Sequence, residues 1–205
     1  MLVIVDYGMG NLRSVQKALE TIGVSATVSN RPADIEGARA LILPGVGAFD
    51  GAIQTIRNLS LEAPLKEAIA AGKPYLGICL GLQLLFESSE EGSEAGLGIL
   101  KGGVPRFKFA HGSPHKVPHM GWNRVKFQTP SPLFKGIQDN TRFYFVHSFY
   151  AAPSDGAVVS GSTHYGSPFC SSVWNKNIVA TQFHPEKSGP AGLQMLKNFV
   201  EWAVR

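Results

Sequence analysis

Tyr75-Leu76-Gly77-Ile78-Cys79-Leu80-Gly81-Leu82-Gln83-Leu84 is the stretch on which the reading of this chain turns. Tyr75–Ile78 is an apolar run of strand length, and the residues from Leu80 to Glu87 read as a helix. A strand that passes straight into a helix turns sharply, and Gly77 and Gly81 supply space that side chains beside the turn would fill. The pattern has the form of a nucleophile elbow with Cys in place of Ser. In that geometry the Cys79 thiol sits at a helix N-terminus, where free amides and the helix dipole favour a thiolate. The bland alternative is a buried core cysteine between chance glycines, and the strand–turn–helix context weighs against it. Cys170 lies in Phe169-Cys170-Ser171-Ser172-Val173, a strand without glycine flanks, and reads as a structural cysteine.

Outward from the elbow, strands and helices alternate. Leu2–Val5 is a first strand, and Leu12, Val15, Leu19 and Ile22 then recur at helical spacing. Val24–Val28 and Leu41–Leu43 read as further strands, and residues 48–58 and 62–71 as helices. This alternation predicts an α/β fold with a central, mostly parallel sheet covered by helices on both faces. Beyond about residue 96, glycine, proline and aromatic residues dominate. Short strands are expected at 104–107, 124–127, 143–146, 157–161, 169–174 and 178–183, as antiparallel additions to the sheet. A helix over 190–204 closes the chain. Without a repeat, linker or low-complexity tract, residues 1–205 are expected to form a single domain.

The 205 residues are 44% hydrophobic and 17% charged, with a net charge of +4. The basic residues are scattered, which argues against nucleic-acid binding. No apolar run approaches the length of a membrane span. The opening MLVIVDYGMGN lacks a basic leader and a cleavage site, so a cytoplasmic protein is expected. Two cysteines do not make a disulfide framework.

A cysteine nucleophile needs an imidazole, and the imidazole needs an orienting group. Of six histidines, His184 has a carboxylate placed to serve it, in Gln182-Phe183-His184-Pro185-Glu186. Pro185 holds His184 in extended backbone, and residues two apart then face the same side. Glu186 is therefore expected to orient His184. His111, His115 and His119 are spaced by four, but Gly112, Pro114 and Pro118 forbid the helix that would make them a metal stripe, so no metal is expected. Gly8-Met9-Gly10 begins like a dinucleotide fingerprint. Arg13 stands in the place of its third glycine, and no acid follows the second strand. Amide chemistry also needs backbone donors for an oxyanion. The Leu80 amide is one, and the Pro44-Gly45-Val46-Gly47 loop, through Val46 or Gly47, is the candidate for a second.

These residues resemble the class I glutamine amidotransferase family. The elbow GICLG, the loop PGVG and the HPE triplet occur in that family's order at comparable separations. Asp6–Asn11, Leu43–Gly47, Pro118–Asn123, Phe143–Ser148 and His184–Ser188 extend the likeness over nearly the whole chain, closest to the branch that serves histidine biosynthesis. The resemblance implies a flavodoxin-like fold and a Cys79–His184–Glu186 triad that releases ammonia from glutamine, without cofactor or metal. It implies that Gln83 holds the glutamine, that Glu91, Ser148 and Phe149 meet its amino-acid end, and that Asn11, Trp122, Tyr144 and Lys187 face a (β/α)8-barrel cyclase subunit. Alternatives are the glutaminase of another ammonia-channelling enzyme such as pyridoxal phosphate synthase, a stand-alone γ-glutamyl hydrolase, or a non-catalytic regulatory subunit.

Overall fold

The short, continuously apolar runs stack side by side because each needs both faces covered. A computed structural model describes residues 1–204. Its first half runs β1 (Leu2–Val5), α1 (Leu12–Thr21), β2 (Thr27–Ser29), α2 (Pro32–Glu36), β3 (Ala40–Gly45), α3 (Phe49–Asn58), α4 (Glu62–Ala70), β4 (Tyr75–Cys79) and α5 (Leu80–Gln83). The second half adds β5 (Ser88–Ser89), β6 (Gly102–Val104), β7 (His119–Arg124), β8 (Lys126–Phe127) and β9 (Arg142–His147). It continues with β10 (Ala152–Pro153), β11 (Val159–Tyr165), β12 (Ser167–Asn175), β13 (Ile178–Thr181) and α6 (Gly189–Ala203).

The main sheet has eight strands in the order β2-β1-β3-β4-β13-β12-β11-β8. Pairing is parallel from β2 through β13 and antiparallel beyond it. The α/β architecture with antiparallel additions is as expected, and its five parallel strands follow the flavodoxin-like order. Alternate residues divide between two cores. Val3, Val5, Leu41, Leu43 and Ala180 face Ile35, Ile53, Ile56 and Leu65 on one side. Ile4, Ile42, Leu76, Ile78 and Val179 face Val15, Leu19, Leu196 and Phe199 of α1 and α6 on the other. Two smaller ladders, β10-β6-β5 and β7-β9, stand apart from the main sheet.

Several expectations need correction. Residues 178–183 are not simply an antiparallel addition, because β13 runs parallel to β4 while pairing antiparallel with β12. Residues 143–146 form β9, which pairs with β7 outside the main sheet. The helix expected over 80–87 is a single turn, α5. Its continuation is pre-empted by the returning loop: the amides of Leu97 and Ile99 donate to the carbonyls of Leu84 and Leu85 at 2.8 and 2.9 Å. The strand expected over 104–107 ends at Val104, before Pro105, and the one over 124–127 is divided between β7 and β8. The short helix α2, opened by Pro32 at its first turn, was outside the sequence reading.

The elbow depends on glycine for space as expected. A Cβ on Gly81 would lie 1.8 Å from the Leu43 carbonyl oxygen, and one on Gly77 would lie 2.5 Å from that of Gly81. Both obstacles are backbone and belong to the core. Gly81→Ala is therefore expected to lower the unfolding free energy by about 1–3 kcal/mol or more. Gly156→Ala, where a Cβ meets nothing within 4 Å, should change it by no more than about 0.5 kcal/mol. Urea denaturation of both variants checks this, and equal midpoints would remove the steric account of the elbow.

Candidate active site

Cys79 is the last residue of β4 and has φ 54° and ψ −103°, a left-handed conformation costly for any residue but glycine. The strain turns its side chain out of the strand at the carboxyl edge of the sheet. The flanking strands end at the same edge. On one side Gly45 of β3 pairs with Cys79, bringing the Pro44–Gly47 loop beside the elbow. On the other, Thr181 of β13 pairs with Ile78, and the chain continues to His184.

His184 is buried in extended backbone, with φ −102° and ψ 98°. Its Nδ1 lies 2.7 Å from Glu186 Oε1, and Glu186 is as deeply buried. Pro185–Lys187 form a single 3₁₀ turn that brings the carboxylate back to the ring. Ser188 then straps the turn down, its Oγ donating to the His184 carbonyl at 2.6 Å and accepting from the Tyr144 amide at 3.0 Å. Burial works against charge on the His184 ring. The nearby Cys79 sulfur and the Glu186 carboxylate outweigh it and raise His184 to about 10. His184 Nε2 has no hydrogen-bond partner within the described residues.

A cavity of about 280 Å³ opens over the sulfur. Val46, Gly47 and Leu80 border it on the elbow side, Gln83 and Glu91 on another, and Val146–Phe149 form the facing wall. Gly47 has φ 109°, so its peptide takes an orientation that side-chain-bearing residues avoid. Gln83 Nε2 donates to the Phe149 carbonyl at 2.9 Å and to Gln182 Oε1 at 3.2 Å. Glu91 Oε2 accepts from the Phe49 amide at 2.9 Å, pinning the start of α3 just after the Pro44–Gly47 loop. The structure thus gathers Val46, Gly47, Cys79, Leu80, Gln83, Glu91, Ser148 and Phe149 around one space.

Three residues escaped the sequence reading. Gln182 Nε2 donates to Cys79 Sγ at 3.6 Å, and the Val146 carbonyl stands 3.9 Å from the same sulfur. His147 lines the facing wall. Gln182 lies two residues before His184, so extended-chain alternation was a signal for it. Val146 and His147 had no local signal.

Of the four residues assigned to a partner surface, Trp122, Tyr144 and Lys187 lie close together. Trp122, 54% exposed, pairs with Tyr144 across β7 and β9, their ring centroids 6.2 Å apart. Lys187 Nζ lies 6.0 Å from the Tyr144 ring. Asn11 instead caps α1, its Oδ1 accepting from the Ser14 amide at 3.2 Å. His119 is buried on β7 beside His147, and no group of three His, Cys, Asp or Glu among the described residues is arranged to hold a metal. No helix among them is long and apolar enough to cross a membrane.

Residues 3–202 match the family described as glutamine amidotransferase class-I. The chain is 50% identical over 203 residues to imidazole glycerol phosphate synthase subunit HisH of Syntrophotalea carbinolica, covering 97% of this chain and 98% of that one. The subunit of the same name from Rhodopirellula baltica is 52% identical over 200 residues, covering 97% and 96%. Among solved structures, one described as a glutamine amidotransferase aligns with a TM-score of 0.75 at 22% identity, covering 99% of both chains. PurLQS from Thermotoga maritima aligns with a TM-score of 0.75 at 19% identity, covering 98% and 97%. At those identities the two structures establish the fold alone.

The two thiols differ in setting. Both are buried, but Cys79 lines the cavity, while Cys170 lies on β12, donates to the Ser172 carbonyl at 3.4 Å, and is pushed up to about 12 by burial. Burial thus disfavours the reactive thiolate at Cys170. Iodoacetamide is expected to modify Cys79 in the native chain and to reach Cys170 only after denaturant is added. Peptide mass mapping reads the outcome, and comparable labelling of both thiols in the native state would contradict it.

Proposed function

The chain belongs to the class-I glutamine amidotransferase family, and we propose that it is the glutaminase subunit of an imidazole glycerol phosphate synthase. The observation that carries the chemistry is the buried His184–Glu186 pair at 2.7 Å beside a cysteine held at positive φ on the floor of a cavity. The near-full-length relatives bearing that subunit name support the choice within the family.

On this reading the Cys79 sulfur attacks the side-chain amide carbon of glutamine. The carbonyl oxygen becomes an oxyanion, met by the Leu80 amide and by an amide of the Val46–Gly47 loop. His184, favouring its proton, gives it to the departing nitrogen, so ammonia leaves and a γ-glutamyl thioester remains. Water then attacks the thioester, with His184 taking its proton, and glutamate departs with the thiol restored. Glutamine and water become glutamate and ammonia, with no cofactor and no metal. Glu186 holds the tautomer and orientation of His184 without itself carrying the proton. Gln83 holds the glutamine, and Glu91, Ser148 and Phe149 meet its amino-acid end.

The partner is a (β/α)8-barrel cyclase, which takes the ammonia to make imidazole glycerol phosphate and an aminoimidazole carboxamide ribotide. Trp122, Tyr144 and Lys187 form one surface beside the His184 turn, and it is here that the cyclase docks. Asn11, at the start of α1, is the remaining contact. Residues 1–205 act as one domain in a cytoplasmic heterodimer that involves neither nucleic acid nor membrane.

Cys79→Ser is expected to abolish ammonia release while folding and cyclase binding persist. Glu186→Gln should lower turnover less than His184→Ala, because part of the imidazole population stays oriented. Coupled glutamate dehydrogenase assays decide it. A Cys79→Ser protein near wild-type rate would remove the nucleophile, and a Glu186→Gln protein as inactive as His184→Ala would remove the division of labour.

The glycine loop also offers a brake. With its peptide turned from the cavity the oxyanion lacks one donor, which costs roughly 100- to 1000-fold in rate. The cyclase with its nucleotide ligand shifts the loop by binding its two states unequally. Steady-state assays of the lone chain, the pair, and the pair with ligand should show turnover rising by orders of magnitude with little change in glutamine affinity. Equal rates in all three would favour an independent hydrolase.

A further inference from the structure

Next to Ser148–Phe149 in the cavity wall two histidines stand end to end, of which His147 itself lines the cavity. His147 Nδ1 lies 2.8 Å from the Phe149 carbonyl oxygen, and its Nε2 lies 2.9 Å from His119 Nδ1. His119 Nε2 lies 3.2 Å from Asn123 Nδ2, which also donates to the His164 carbonyl at 3.0 Å. A carbonyl oxygen only accepts, so His147 Nδ1 carries the proton. His147 Nε2 is then an acceptor, and His119 Nδ1 donates to it. His119 Nε2 accepts in turn from the Asn123 amide. One carbonyl sets the tautomer of both rings and the direction of every bond as far as β7.

The arrangement works only with both rings neutral, since a proton on His147 Nε2 would oppose the His119 donor. His147 is 6% exposed and His119 3%. Burial pushes His147 down to about 3 and His119 to about 4. The titratable groups facing them are each other, His184 beside His147, and His115 beside His119; Phe107, Tyr165 and Phe169 pack against the rings. No carboxylate among the described residues lies within ion-pair distance of either.

At the other end, the Phe149 carbonyl also accepts from Gln83. Both of its lone pairs are then engaged, so this oxygen is a fixed point of the wall and not a substrate contact. Gln83 continues through Gln182 to the Cys79 sulfur. The β7–β9 ladder has five register pairs besides His119–His147, and apolar side chains would suit the surrounding aromatic cluster. The polar pair is spent on one carbonyl in the cavity wall.

We propose that His147 and His119 are positioning residues for substrate. Their one-directional hydrogen-bond chain locks the Phe149 carbonyl, and with it the Ser148–Phe149 wall and the Gln83 amide, in the geometry that receives the amino-acid end of glutamine. The proposal rests on the glutaminase reading of the same site. Removing the chain should weaken ground-state and transition-state binding alike, and so raise KM far more than it lowers kcat.

The test uses the full chain with its cyclase partner and ligand. His147→Leu, which cannot donate, should raise the glutamine KM about tenfold or more, the effect of one lost buried hydrogen bond. His147→Asn, whose amide can reproduce the Nδ1 donor, should restore most of it. His119→Leu should raise KM less than His147→Leu does, with rescue by His119→Asn. A second measurement needs no variant: nitrogen-15 spectra of the histidine-labelled wild type should show both rings protonated on Nδ1, bare at Nε2, and untitrated from about pH 8 to about pH 5.5, across the ordinary histidine range. An Nε2-protonated ring, or a midpoint near the ordinary value for either ring, overturns the proposal. So does an unchanged KM in His147→Leu, or a His147→Asn no better than it. If the wild-type pair releases no ammonia, or Cys79→Ser still does, the glutaminase reading fails instead.

Discussion

The parallel pairing of β4 with β13 is the constraint on which the rest of the molecule depends. Ile78 pairs with Thr181, so the two strands deliver Cys79 and the turn to His184 at one edge of the sheet. The pairing of Gly45 with Cys79 across β3 and β4 adds the Pro44–Gly47 loop to the same edge. Three adjacent strands thus supply the Pro44–Gly47 loop, the sulfur and the imidazole. A slip of one residue between β4 and β13 would send alternate side chains to the wrong face. Burial of both strands on both faces makes that slip costly.

Around this edge the protein tolerates features that a core normally avoids. Cys79 is held at positive φ, a conformation costing on the order of 1–3 kcal/mol. His184 and Glu186 are buried together, each with one polar atom lacking a protein partner. These features persist because the surroundings leave no alternative. The Leu43 carbonyl blocks any bulk at Gly81, and the Pro185 carbonyl stands 1.8 Å from where a Cβ on Gly192 would sit, so α6 rests directly on the His184 turn. Strain and unpaired polarity are concentrated where sulfur, imidazole and carboxylate meet, and the sheet beneath absorbs the cost.

The facing wall of the cavity comes from a different part of the fold. β9 is not in the main sheet, and it is tied to the His184 turn through Ser188 and Tyr144. The paired histidines then hold the segment just beyond β9. The exposed Trp122 and the half-buried Tyr144 lie on the same two strands as His119 and His147. A body docked on that surface would press on the element that shapes the cavity.

The features legible in the sequence were those that depend on neighbours along the chain. The Cys79 elbow, the extended His184-Pro185-Glu186 pair, the alternating strands and helices, and the closing helix all follow from periodicity, proline and glycine within a few residues. Resemblance added Gln83, Glu91, Ser148 and Phe149, which the structure brings to one cavity. What only the tertiary structure decided involves partners far apart in sequence. The direction of β13 depends on a crossover of about a hundred residues, which no local pattern encodes. The early end of α5 depends on a loop that returns to take its carbonyls. His119 reads alone as one of three evenly spaced histidines. It finds His147, 28 residues away, only because two strands pair outside the main sheet. Local chemistry determines which residues are capable of the reaction, and long-range strand pairing determines which of them meet.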